Sequence, residues 1–253
     1  SVADRLRLPD LLIAENCDYG HYLQKKYGLP NNRFRYLTHG ADDRVFFPRD
    51  RPPPRDVFRV SYHGTYVASH GLDTIVDAAK LLSVHPDIRF EFYGTGPEQE
   101  RIEKLAHDYG LLNIRFHGHV PREELLDGLS QAHVCLGVFG ATRQDLFTIQ
   151  NKLWEGLAMR RPVLSGDAPT VRAALRPGEE IYLVERGKPE ALANAILDLK
   201  YNPEHRERIA RQGHQRFVAG SSVAAIGTQA ATILKELIAN SERPKRSVES
   251  EHS

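Results

Sequence analysis

The sequence predicts an α/β protein, a parallel sheet with helices on both faces. From Val57 onward, short apolar runs that suit strands alternate with longer runs that suit helices, which is the pattern of βαβ units. The first of these helices carries Leu72, Ile75, Val76, Ala79 and Leu82 as one apolar stripe. Glycines gather where strands end and helices begin. The crossovers between such strands are right-handed.

Leu11–Ala14 is a short apolar run that suits a buried strand. Asp18–Tyr27 reads as a helix, with Asp18 as its N-cap and Gly28 as its stop. Phe34–Leu37 is a second strand. Phe47-Pro48 and Pro52-Pro53-Pro54 form a stiff, charged connection, and a domain boundary is placed there. Beyond it, strands are predicted at Phe58–Tyr62, Ile88–Tyr93, Ile114–His117, Val134–Val138, Pro162–Leu164 and Ile181–Val184. Helices are predicted at Leu72–Leu82, Pro97–Tyr109, Arg122–Ser130, Ile149–Met159, Thr170–Leu175 and Pro189–Leu199. Two more helices follow, Glu204–Val218 and Ser222–Ala239. The last one presents Ile226, Ala230, Ile233, Leu234 and Leu237 on one face. The polar tail at 241–253 is expected to be disordered.

The chain has 253 residues, enough for one large or one and a half α/β domains. Its 34 basic and 33 acidic side chains nearly cancel, so no basic field argues for nucleic acid. Cys17 and Cys135 lie far apart and form no C-x-x-C pair, which suits a reducing, cytoplasmic compartment. No apolar run in the sequence approaches the length that spans a bilayer, and no signal peptide opens the chain. Ser1 stands where Met would, as in a processed or truncated piece.

Four loops and one helix can carry chemistry. Ser61-Tyr62-His63-Gly64-Thr65 leads through Ser69-His70-Gly71 into a helix. Glycines let the backbone approach a phosphate, and a helix start supplies free N–H groups. The Gly-Lys-Ser/Thr of a Walker loop is absent. Tyr93-Gly94-Thr95-Gly96-Pro97 begins like a dinucleotide fingerprint, but Gln99 stands at the third glycine position, against an NAD site. In His117-Gly118-His119-Val120-Pro121 the two histidines would share one strand face. A metal pair there lacks a third ligand nearby, and a backbone-lined pocket wall is the stronger reading. Gly137-Val138-Phe139-Gly140-Ala141-Thr142-Arg143 leads into Asn151-Lys152-Leu153-Trp154-Glu155-Gly156-Leu157-Ala158-Met159. Lys152 and Glu155 share a helical face, either as a surface ion pair or as part of a nucleotide site. The sequence has no Asp-x-Asp pair, no Gly-x-Ser-x-Gly elbow and no H-E-x-x-H.

Taken together and in order, these stretches resemble the C-terminal donor-binding half, with linker, of the family-4 retaining glycosyltransferases of GT-B fold (glycosyl transferases group 1). His63-Gly64-Thr65 with His70-Gly71 resembles the family's glycine-rich loop. Gly94-Thr95-Gly96-Pro97 and Phe116-His117-Gly118-His119-Val120 resemble two further loops. Asn151–Met159 followed by Arg161-Pro162-Val163 resembles its signature helix. The resemblance implies a Rossmann-like nucleotide-sugar-binding domain at 51–220. Residues 1–50 would be the remnant of an N-terminal acceptor domain and its linker, and 221–240 a C-terminal crossover helix.

The resemblance also implies roles. Glu155 would hold the donor's ribose hydroxyls. Lys152 and its helix start would face the diphosphate. Gly64, Thr65, His70, Gly71 and Gly96 would line it, with Arg143 as an added cation, and His117 to Val120, chiefly His119 and Val120, would contact the base. The implied reaction transfers a sugar from UDP or GDP with retention, without metal or cofactor, to a glycan or lipid-linked acceptor. The alternative is a binding module or half-enzyme that needs a separate acceptor domain. Such work belongs to the cytoplasm or the inner membrane face. Three features depart from the family. Phe147 stands where the first signature glutamate, which contacts the transferred sugar, is expected, and Asp145 is out of register. The usual basic residues of the phosphate loop are absent at Thr65, with His70 in their place. The catalytic histidine of the N-terminal domain has no counterpart in the chain.

Overall fold

The computed structural model describes residues 2–140, 142 and 146–241. Two sheets form. β1 (Leu12–Ala14) and β2 (Phe34–Tyr36) pair in parallel as a small sheet. The main sheet contains β3 (Phe58–His63), β4 (Ile88–Tyr93), β5 (Ile114–Gly118), β6 (Val134–Leu136), β7 (Val163–Gly166) and β8 (Tyr182–Val184). Its order is β5-β4-β3-β6-β7-β8, all parallel. The strand order reverses between β3 and β6. In open α/β sheets ligands bind in the crevice outside the carboxyl ends of the strands at such a reversal.

Helices cover both faces. The described helices are α1 (Val2–Arg7), α2 (Cys17–Tyr27), α3 (Leu72–Leu81), α4 (Gln99–Asp108), α5 (Arg122–Ser130), α6 (Asn151–Ala158), α7 (Pro169–Ala174), α8 (Pro189–Tyr201), α9 (Pro203–Gly220) and α10 (Val223–Ser241). Strand alternation divides the core in two. Val134 and Leu136 face α3, α4 and α8, where Ile75, Ile102 and Ile196 are fully buried. Cys135 and Val163 face α5, α6 and α7, against Leu129, Trp154 and Val171. Each such aliphatic side chain removed from water contributes about 1.5–3 kcal/mol.

The predicted elements form, with boundaries shifted by a residue or two. The cap of α2 is a correction. Asn16, not Asp18, accepts the Tyr19 N–H at 2.9 Å, because Asn16 is the residue with extended backbone just outside the helix. Gly28 ends that helix in the left-handed region, as predicted.

The proline-rich connection lies along α5. Arg49 forks onto Glu123 and Asp127 at 3.0–3.1 Å, and Arg51 reaches Asp127 at 2.7 Å. The stripe predicted on the last helix splits. Ile233 is buried and Ile226 is half-buried, on the side facing residues 35–43, where Glu236 pairs with Arg35 at 3.5 Å and Asp43 accepts the Val223 N–H. Leu234, Leu237 and Ile238 stay exposed. One further point differs from the sequence reading. Among the described residues, the helical stretch Pro203–Ala239 contains a window long and apolar enough to cross a membrane, and 22% of that window is buried. The run is not apparent in the sequence because Gly220, Ser221, Ser222, Gly227, Thr228 and Gln229 break it into short apolar pieces.

The strand-end loops approach one another closely. Gly94 follows β4 with φ 125°, and a Cβ on it would lie 2.1 Å from the Gly64 carbonyl oxygen. Gly71 precedes α3 with φ 65°, and its Cβ would lie 2.4 Å from the Gly140 nitrogen. Neither neighbour is a flexible side-chain end, so neither can yield cheaply. Gly94→Ala is therefore expected to destabilise the fold by about 2–4 kcal/mol, from overpacking and left-handed strain together. A urea-unfolding midpoint within error of the parent chain would contradict this.

Candidate functional site

The site grows from the carboxyl ends of β3, β4 and β5. The backbone ladder continues past the strands: Gly64 N–H donates to Tyr93 O at 2.9 Å, Tyr66 N–H to Thr95 O at 2.9 Å and Gly94 N–H to Gly118 O at 2.8 Å. These bonds fix the three loops as one wall. They enclose a cavity of about 330 Å³. Gly64, Thr65, His119, Val120 and Glu155 line it, five of the residues expected from the sequence. Phe46 from the linker and Leu125 from α5 close it on apolar sides.

Glu155 reaches the cavity from α6. It is held there by His63 at the end of β3, whose Nε2 lies 2.7 Å from Glu155 Oε2. His63 is buried and Glu155 is partly open to the cavity. The pair therefore presents a fixed carboxylate, an acceptor-only group with lone pairs left for a ligand's hydroxyls. Lys152, one turn earlier, takes different partners. Its ammonium donates to the Tyr62 hydroxyl at 2.8 Å, lies 4.0 Å from that ring's centre, and comes within 3.3 Å of His70 Nδ1. A simple Lys152–Glu155 surface ion pair is thus not what forms. Lys152 is buried, directly beneath Gly64: a Cβ there would lie 3.1 Å from the Lys152 amine.

His70 completes this group. Tyr62 Oη is 2.8 Å from His70 Nδ1 and 3.1 Å from Thr65 O, and the tautomer of His70 decides which receives the phenol proton. Burial, and next the Lys152 charge, hold the His70 imidazole down to about 4. His70 therefore serves as a neutral hydrogen-bonding group at pH 7 rather than as a cation.

Other expected residues stand elsewhere. Gly71 and Gly96 sit in the packing between loops, where Gly96 abuts the Tyr66 backbone. His117 does not share a face with His119. Gly118, at φ 69°, breaks the alternation, and His117 pairs with Glu91 at 2.6 Å while stacking on Tyr93. Phe147 stacks on Tyr22 with ring centres 6.0 Å apart, and its carbonyl accepts from Asn16 Nδ2. Arg143 and Asp145 lie outside the described residues. Sequence reasoning missed Tyr62 and His63 as partners of Lys152 and Glu155. Strand alternation held the signal, since neighbours on a strand must point to opposite faces.

The chain matches the family model described as glycosyl transferases group 1 over residues 57–202. The chain belongs to this family. Among curated relatives of this group 1 member, it is 27% identical over 227 residues to the alpha-D-kanosaminyltransferase of Streptomyces kanamyceticus, covering 85% of this chain and 57% of that protein. It is 24% identical over 225 residues to the D-inositol 3-phosphate glycosyltransferase of Thermomonospora curvata, covering 79% and 51%. The chain thus spans about half the length of the curated relatives it matches. Among solved structures, HepE of Anabaena in complex with UDP-glucose superposes with a TM-score of 0.76 at 16% identity, over 91% of this chain and 65% of that one. The C-terminal domain of the group 1 family protein LpcC from Francisella tularensis gives 0.62 at 18%, over 73% of this chain and all of that domain. These likenesses show the GT-B type of fold.

A histidine held neutral by the fold makes stability depend on pH in one direction. The folded pKa of His70 lies below its unfolded value, so the unfolded chain binds more protons between about pH 6.5 and 4. The stabilisation from a neutral His70 is complete above that window and is lost as pH falls through it. His70→Gln should flatten the pH dependence of the unfolding midpoint across this window. Parallel curves for parent and variant would contradict it.

Proposed function

We propose that the chain binds the nucleoside diphosphate part of a sugar donor and supplies the donor half of a sugar-transfer site. The observation that carries this is the fixed carboxylate of Glu155, held by His63 at the mouth of a glycine-walled cavity at the strand-order reversal. Two neighbouring ribose hydroxyls are natural donors to it. Backbone at Gly64 and Thr65, with the buried Lys152 amine beneath, suits the diphosphate. The walls at His119 and Val120 suit a flat base. Anabaena HepE, solved in complex with UDP and with UDP-glucose, supports a nucleotide donor.

On this reading transfer proceeds with retention, as the resemblance to family 4 implies. The leaving diphosphate is stabilised by Lys152 and by amides of the loop backbone rather than by a metal. Residues 1–50 act as the end of an acceptor domain with its linker, 51–220 as the donor domain and 221–240 as the crossover helix. A glycan or lipid-linked acceptor binds against an N-terminal lobe. The exposed Leu234, Leu237 and Ile238 give α10 an apolar edge suited to that lobe or to the inner membrane face. With Phe147 at the family's first glutamate position, contacts to the transferred sugar come from other residues.

Titration of the chain with UDP and with GDP tests the reading. Saturable binding of one of them is expected, and Glu155→Ala should weaken it by about tenfold to hundredfold, the loss of hydrogen bonds to a charged group. Absence of binding to either at about millimolar concentration would overturn it.

A further inference from the structure

The parallel sheet has a second end, and its chemistry is unlike the first. Phe58 opens β3, Asp87 precedes β4, His133 precedes β6 and Pro162 precedes β7. With the ends of α6 and α8 they frame a cavity of about 390 Å³. It lies one strand length from the Glu155 cavity, about 16 Å along β3. Its walls carry Arg55, Arg160, Arg161, Lys200 and Arg206 against three carboxylates, Asp56, Asp87 and Glu207.

Part of this charge has an ordinary explanation. Helices end here, and cations complement the negative ends of their dipoles. Lys200 pairs with Asp87 at 2.8 Å, and Arg206 donates to the Leu199 carbonyl at 2.7 Å, closing α8. Arg160 and Arg161 also follow a helix end, that of α6, but among the described residues neither is ion-paired with a carboxylate as Lys200 is. Arg161 is half-buried; among the described residues its side chain makes a single hydrogen bond, a long one of 3.5 Å to Ala132 O, and its buried Nε finds no partner. Arg160 follows α6 at φ 54°, where glycine is the unstrained residue and any other costs about 1–2 kcal/mol. It is the one described residue other than glycine with positive φ. The imidazole of His133 stacks on Phe58 at 4.6 Å, and burial first, then Arg206, Arg161 and Arg59, hold it down to about 4.

We infer that this cavity is a second ligand site, built for a phosphomonoester held by Arg160 and Arg161 with Arg206 behind them. Guanidinium forks match the geometry of phosphate oxygens. Pro53, Pro54 and Phe58 supply an apolar wall for the carbon part of the ligand. The volume suits a small phosphorylated metabolite or a lipid phosphate headgroup, and both present the same dianion.

Calorimetric titration of the full chain at low ionic strength tests this, with inorganic phosphate and glycerol 3-phosphate as soluble probes. Phosphatidylcholine vesicles carrying phosphatidic acid serve as the lipid probe. Saturable binding is expected for at least one probe, and Arg161→Gln should weaken it at least about tenfold. Arg160→Gly should weaken it severalfold while leaving the melting temperature unchanged or higher, because glycine relieves the left-handed backbone. Lys152→Met, at the other end of the sheet, should leave the affinity within error. Arg160-dependent binding of soluble phosphate assigns a metabolite, and Arg160-dependent binding of vesicles alone assigns a headgroup. The inference is overturned if no probe binds, if Arg160→Gly binds like the parent chain, or if only Lys152→Met loses binding.

Discussion

Backbone against backbone, at distances that leave no room for a side chain, is the contact on which the carboxyl end of this sheet depends. The loop after β4 lies on the loop after β3 at Gly94, and the loop after β6 lies on the start of α3 at Gly71. Hydrogen bonds then lock the layers: Tyr66 N–H to Thr95 O, and Phe139 N–H to His70 O, both at 2.9 Å. Because the loops close in this way, His63 and Tyr62 stop at fixed positions and meet Glu155 and Lys152 of a helix some 90 residues later in the chain. The site's polar geometry is thus a result of steric closure, and the hydrogen bonds refine what the glycines permit.

The two charged residues of α6 meet opposite fates on one helical face. Glu155 is oriented by a histidine and left partly open, so its free lone pairs are available. Lys152 is covered, with an aromatic ring and a phenolic oxygen taking the place of water around its ammonium. A buried cation of this kind is tolerable only with hydrogen-bond acceptors around it. Burial first, and then this ammonium 3.3 Å away, keep His70 neutral, since both disfavour a second positive charge there.

Much of the fold was legible because alternating strands and helices are a local pattern. Val134–Leu136 and Leu72–Leu81 need no knowledge of their neighbours to be recognised. Glu155 was legible through its place in a recognisable helix. The pairing with His63 was not, because it depends on the order in which strands lie in the sheet. His117 misled because the alternation that places it beside His119 fails at a single left-handed glycine. For Lys152 the sequence leaves open a surface ion pair or a nucleotide site, and only the position of Tyr62 in the folded sheet shows why it is buried. Asn16 was overlooked as a cap because Asp18 is an equally good cap by residue type, and backbone conformation alone separates them.

The connection between residues 1–50 and the sheet has a mechanical meaning. Arg49 and Arg51 are fastened to Glu123 and Asp127 of α5, and Val120, two residues before that helix, is a wall of the Glu155 cavity. Phe46, three residues before Arg49, is another wall. On the far side, Glu15 accepts the Ile149 N–H and Asn16 donates to Phe147 O, just ahead of α6. The first segment therefore grips the pocket from both flanks like a pair of tongs. The cavity thus takes one wall, Phe46, from chain that precedes the prolines.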